Sequence, residues 1–224
     1  MTRQWYSVLG VLFLAFMAAP GTAAQTRVGV IGGINLSDMH LDVDEEIWQI
    51  ERQTVIGLGG LVDFTLSPHL ALRVEPMFLQ KRGYDKTGVE AELKLAYLEL
   101  PLLLTASIGS SVRPYLLCGP TFGYLISSEI EIDLGTVLIE TGIQELIRRI
   151  DWGITAGCGV VYPARRCSIL VEGRYTWGIS NIGKAGIIQV VSGDFTTDLE
   201  LVEDDVIRNK GLQIMIGFLL PVGR

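Results

Sequence analysis

The chain has 224 residues, 49% of them hydrophobic, and a formal net charge of −7 from 18 basic and 25 acidic residues. This length suits one domain, and the acidic balance excludes nucleic acid as a natural partner and simple attraction to anionic lipid heads. Cys118, Cys158 and Cys167 are odd in number and irregularly spaced, which fits neither a disulfide framework nor a zinc site.

Residues 1–24 read as a secretory signal peptide. Arg3 supplies the positive start, and Trp5 to Ala19 is an apolar run interrupted by one Ser and one Gly. Pro20-Gly21 breaks it, and Thr22-Ala23-Ala24 offers small residues for cleavage before Gln25. The run is shorter than the roughly 20 residues of a spanning helix. Without Arg3, 17 basic residues face 25 acidic ones, a formal charge of −8. Residues 25–224 then form a single domain.

That domain reads as strands of period two. The first is Arg27 to Leu36, with Val28, Val30, Ile34 and Leu36 on one face. The second, Val55 to Leu66, sets Ile56, Leu58, Val62, Phe64 and Leu66 against Asp63. In the third, Leu70 to Lys81, Leu72, Val74 and Phe78 alternate with Arg73, Glu75 and Lys81. The fourth, Leu95 to Thr105, alternates leucines with Tyr97, Glu99 and Thr105. Arg113 to Leu125 is the fifth. The sixth, Asp151 to Tyr162, carries Gly153, Gly157 and Gly159 on its inner face. The seventh, Cys167 to Ile179, opposes Val171, Tyr175 and Trp177 to Glu172, Arg174 and Thr176. Gly211 to Leu219 is the eighth, with Leu212, Ile214, Ile216 and Phe218 outward.

The connections alternate in length. Ser67 to His69, Gly109 to Val112 and Pro163 to Arg166 are tight turns, whereas Ser37 to Thr54, Arg82 to Lys94, Ser127 to Ile150 and Asn181 to Lys210 are long. Within the third long connection, Glu140 to Ile150 has near-helical apolar spacing and is expected to form a short helix. Export, alternation and uneven connections together predict an all-β, antiparallel, up-and-down transmembrane barrel of about eight strands in an outer membrane, with its short turns toward the periplasm. Phe78, Phe122, Tyr124, Trp152, Tyr175 and Trp177 fall near the long-loop ends, and Phe64, Tyr162 and Phe218 near the short-turn ends. Two such aromatic girdles mark membrane interfaces.

The segments GVIGGINLSDM, LSPHLALRVEPMFLQKRG, YLELPLLL, RPYLLCGPTFGYL, WGITAGCGVVYP, LVEGRYTWGISNI and GLQIMIGFLLPVG give the chain a family likeness. It resembles the small outer-membrane β-barrel proteins of the porin family, related in architecture to the barrel of outer-membrane protein A. The resemblance covers almost all of residues 25–224 and implies fold and location, with no shared catalytic motif. Many such barrels end on an aromatic residue read by the barrel-assembly machinery. This chain ends Pro221-Val222-Gly223-Arg224, leaving Phe218 to serve instead.

Alternation sends Asp63, Arg73, Glu75, Lys81, Glu99, Glu172 and Arg174 inward, where Arg73, Glu75 and Glu99 are expected to meet. An interior of about eight strands is only wide enough for side chains to fill, so these charges read as a structural ion-pair network. A narrow channel selected by the same residues is the transport alternative, and a soluble periplasmic ligand-binding barrel is a third reading. The inner glycines Gly57, Gly59, Gly153, Gly157 and Gly159 leave room beside bulky neighbours such as Tyr97 and Tyr115.

Other motifs fail. Val28 to Gly33 lacks the dinucleotide spacing. Asp42 to Glu46 is acidic, but Ile47 stands where a calcium loop needs glycine. His40 and His69 fall at opposite ends of the barrel, away from a Ser and acid partner, so no enzyme is expected. No cofactor and no metal are expected. The partners expected are outer-membrane lipid and lipopolysaccharide, the assembly machinery, and an extracellular ligand at the long loops, with the barrel a monomer. Asp194, Asp198, Glu200, Glu203, Asp204 and Asp205 make the last loop acidic, which reads as a solvated surface, with divalent-ion bridging to glycolipid phosphates as the functional alternative.

Overall fold

A computed structural model describes residues 26–42, 50–85, 90–133, 138–142, 147–184, 186–192, 195–201 and 206–222. The proposed leader, residues 1–24, lies outside them. The strands are β1 (Thr26–Asp42), β2 (Ile50–Thr65), β3 (Leu70–Val74), β4 (Met77–Asp85), β5 (Glu90–Ser107), β6 (Arg113–Asp133), β7 (Leu138–Gly142), β8 (Ile150–Pro163), β9 (Ser168–Gly178), β10 (Gly186–Ser192), β11 (Phe195–Leu201) and β12 (Val206–Val222).

Every strand pairing is antiparallel, and nine strands form a ring. β3 and β4 are two halves of one stave, so the ring has eight staves. β1 closes it, pairing with β12 from Thr26↔Val222 to Asp42↔Val206 and with β2 on its other side. Closure leaves no unpaired edge within the wall. The third stave, expected to run unbroken from Leu70 to Lys81, is interrupted at Glu75-Pro76, because proline has no N–H for the ladder. The wall stays joined there: Glu75 N donates to the Pro101 carbonyl at 3.1 Å, and Gly60 N donates to the Pro76 carbonyl at 3.0 Å.

Three tight turns lie at one end. Ser67 Oγ accepts from Leu70 N at 3.1 Å in the first. Gly109, with φ of 93°, supplies the left-handed residue of the second. Ala164 N donates to the Cys167 carbonyl at 2.8 Å in the third. At the other end the strands run long. β6 has 21 residues, against the roughly 9–11 that cross a bilayer. β7 pairs with the outer part of β6, from Glu129↔Gly142 to Asp133↔Leu138. The helix expected over Glu140 to Ile150 is corrected at its two ends: residues 140–142 complete β7, because the extended β6 offers an edge to pair on, and Ile150 begins β8. Residues 143–146 lie outside the described residues. The last long connection contains the hairpin β10–β11.

Exposure follows the pleat. On β12, Leu212, Ile214, Ile216 and Phe218 face outward while Gln213, Met215 and Leu219 are buried. The same alternation gives β8 an outward Trp152, Ile154 and Val160. This outer apolar belt gives way on the long strands to a charged surface, where Arg82 pairs with Glu92 at 3.2 Å and Lys94 with Glu131. A register shift at Ala96/Tyr97 re-aims the side chains beyond it.

Candidate functional site: a bridged lumen

The inward charges converge because four odd-numbered residues of one stave, Arg73, Glu75, Met77 and Lys81, keep the same phase across the break at Pro76 and are all buried. Opposite them, four staves away round the ring, β9 presents Glu172 and Arg174. The two walls are joined directly. Arg73 Nη1 donates to Glu172 Oε2 at 2.9 Å, and Arg174 Nη1 reaches back to Glu75 and donates to Glu172 Oε1 at 3.1 Å. Asp63 on β2 receives Arg73 Nε at 2.7 Å and Arg27 Nη2 at 2.9 Å. Tyr115 OH donates to Glu172 at 2.5 Å, and Arg174 Nε donates to Gln213 at 2.5 Å. Three carboxylates and three guanidiniums thus balance one another in a buried cluster.

A second cluster lies nearer the long-loop end, separated on the β3/β4 stave by Met77 and Leu79. Lys81 Nζ is 2.7 Å from Glu99 and 3.2 Å from Asp151, and sits 4.6 Å from the centre of the Tyr97 ring. Asn209 Nδ2 and Ser180 Oγ donate to Asp151 at 2.7 and 2.5 Å. All seven predicted inward charges are therefore buried, but not as one group. The expectation that Glu99 meets Arg73 and Glu75 is corrected: Glu99 pairs with Lys81, while Arg73 and Glu75 are engaged by Asp63, Glu172, Arg174 and each other.

Asp151, Asn209 and Gln213 were not among the residues predicted from sequence, and Tyr115 was read only as a bulky neighbour of the inner glycines. Asp151 and Gln213 were within reach of that reasoning. Asp151 is in phase with Gly153 and Gly157, and Gln213 alternates with Leu212 and Ile214. The space beside the inner glycines Gly57, Gly59 and Gly159 is taken up by neighbouring side chains. A Cβ on Gly159 would stand 2.6 Å from the Tyr115 ring and 2.7 Å from Glu172 Cβ, and one on Gly59 would stand 2.4 Å from Met77 Cβ. The cavity beside Lys81 has about 10 Å³, space for one water at most.

The outer mouth is closed by side chains from two connecting segments. Ile147 and Ile182 are buried against Leu95, Tyr97, Leu125 and Ile207. Arg148 N donates to the Ile182 carbonyl at 2.8 Å, and Ile182 N donates to the Ile207 carbonyl at 2.9 Å. Such a contact between segments far apart in sequence leaves no periodic signal.

The predicted aromatics lie on the outer face in two rows. At the long-loop end, Phe122 is the register partner of Trp152, and Phe78 and Tyr124 both pair with Leu98. Trp177 pairs with Ile154, and the Tyr175 and Trp177 rings meet edge-on at 4.5 Å. At the short-turn end, Tyr162 and Phe218 flank Ile169, and Phe64 pairs with Thr26. Phe64 and Tyr175 are half-buried and the other seven exposed. Cys118 and Cys158 are free and exposed on the wall, and Cys167 is free at the third tight turn. Among the described residues, no group of three His, Cys, Asp or Glu side chains is arranged to hold a metal ion.

The model of the family described as outer membrane protein beta-barrel domain matches residues 23–183. The match stops short of β12, which the ring needs for closure. No curated protein matches the chain. Among solved structures, the outer membrane protein OprG from Pseudomonas aeruginosa is similar at a TM-score of 0.51 and 14% identity, over 90% of this chain and 97% of that one. Ail, the attachment invasion locus protein of Yersinia pestis, gives 0.46 and 11%, over 88% and 99%. Neisserial surface protein A gives 0.43 and 12%, over 88% and 98%. At these identities the likeness speaks for the fold alone.

Proposed function

Because the chain belongs to the outer membrane protein beta-barrel domain family and resides in the outer membrane, we propose that it is a non-conducting barrel of structural or surface-interaction type. The observation that carries this reading is the pair of guanidiniums, Arg73 and Arg174, that span the lumen to carboxylates on the opposite wall. An ion crossing the lumen would have to break buried pairs whose separated charges are costly in a low-dielectric interior. The isoleucine closure at the outer mouth acts in the same sense.

The working surface is then the part above the lipid belt. There the long strands carry ion pairs rather than apolar groups, and the loops offer contact to an extracellular ligand. Lipid and lipopolysaccharide cover the apolar wall. The ring has no free edge, which supports a monomer, and Phe218 on the last strand is the signal offered to the assembly machinery. No catalysis is assigned to the barrel.

The test is planar-bilayer conductance of the folded protein, with folding checked by heat-shifted gel mobility. A folded, inserted barrel that passes no current steps is the expected result. Reproducible steps altered by Glu99→Gln or Arg174→Ala would establish the narrow channel instead.

A further inference from the structure

The short-turn mouth holds a cavity of about 390 Å³, within the range of small-molecule sites. Arg27, Arg113, Arg165 and Arg166 line it, with Arg73 and Tyr115 also on its wall. The charge there does not balance. Asp63, Glu75 and Glu172 are engaged by Arg27, Arg73 and Arg174 in the buried cluster. Among the described residues, no ion pair engages Arg113, Arg165 or Arg166 and no carboxylate lines the cavity. Arg27 adds a buried Nε without a hydrogen-bond partner.

Concentrated guanidiniums without counter-charge repel one another and raise the local concentration of anions. Their planar forks match the oxygens of phosphate, and a bidentate pair is stronger than a neutral hydrogen bond. We propose that the periplasmic mouth is a binding site for a phosphate group, held by Arg113, Arg165 and Arg166 with Arg27 beneath them. The phosphate belongs either to a soluble periplasmic compound or to the headgroup of an inner-leaflet phospholipid.

The probe is inorganic pyrophosphate, titrated calorimetrically into the full-length protein extracted from outer membranes in a nonionic detergent. The expected result is saturable binding, weakened at least tenfold by Arg165→Ala/Arg166→Ala and, separately, by Arg113→Ala. Arg165 and Arg166 are exposed turn residues, so these barrels should keep their heat-shifted mobility. Native mass spectrometry of the same protein, extracted with phosphatidylglycerol present, separates the sources. Retained lipid that the double variant loses assigns the headgroup; pyrophosphate binding without retained lipid assigns a soluble phosphate. Absence of both, or binding unchanged in the folded variants, overturns the proposal.

Discussion

Arg73 and Glu172 stand 99 positions apart in the chain and on opposite walls of the barrel, yet Arg73 Nη1 lies 2.9 Å from Glu172 Oε2. The bond ties the third stave to the seventh, with Glu75 and Arg174 as a parallel strut. Arg73 also holds Asp63, so its loss would take one cation from each of two buried acids, leaving Asp63 to Arg27 and Glu172 to Arg174 and Tyr115. Removing one partner of a buried pair costs about 3–5 kcal/mol. Arg73→Ala should lower the unfolding free energy of the refolded barrel by about that amount in a denaturant titration. Combined with Glu172→Gln in a double-mutant cycle, it should show a coupling of about 0.5–3 kcal/mol. Independent effects would mean that the two walls are not joined through these residues.

The lipid-facing part of the wall was legible in the sequence, because lipid outside and a packed lumen inside impose opposite chemistries on alternate residues. Val206 to Lys210 shows where that signal ends. These residues extend β12 beyond its predicted start at Gly211. Arg208 and Lys210 occupy the outward phase there, since water rather than lipid lies outside, and apolar alternation disappears while hydrogen-bonded pairing with β1 continues. Asn209 was missed for this reason. The inward direction of Arg73 and Glu172 was readable from phase alone. Which acid each cation takes was not, because that depends on axial stagger between staves far apart in sequence.

Gly159 tests how tightly the lumen is filled. Its missing side chain is the space that Tyr115 uses to reach Glu172, and Tyr115 OH and Cζ both lie 2.6 Å from where a Cβ would stand. Gly159→Ala should destabilise by about 1–3 kcal/mol, the usual cost of overpacking. Adding Tyr115→Leu should recover part of that loss. A neutral Gly159→Ala in urea or thermal unfolding would mean that the lumen holds more empty space than the structure shows.

Trp152 and Trp177 are about 45% exposed on the outer face, a degree of exposure explained by surrounding lipid. Amphipathic rings concentrate at headgroup level. In variants keeping only one of these tryptophans, the others replaced by phenylalanine, lipids brominated near the headgroup should quench fluorescence more than lipids brominated near the chain ends. The reverse order would place this aromatic row at mid-membrane and shift the whole belt toward the short turns.

The three free cysteines report orientation without any engineered probe. Cys167 sits at the third tight turn, half-buried beside the arginine-lined mouth, whereas Cys118 and Cys158 are exposed on the wall between the two aromatic rows. In barrels of this class the short turns face the periplasm. A polyethylene glycol maleimide too large to cross the outer membrane should therefore leave intact cells unlabelled and modify Cys167 once the membrane is ruptured. Cys118 and Cys158 should react only with a small, lipid-soluble maleimide, because hydrocarbon excludes the bulky reagent. Each thiol is assigned by mass spectrometry of the labelled peptides. Modification of Cys167 in intact cells would put the arginine-lined mouth on the cell exterior, and the extended strands with their ion pairs would then belong to the periplasm.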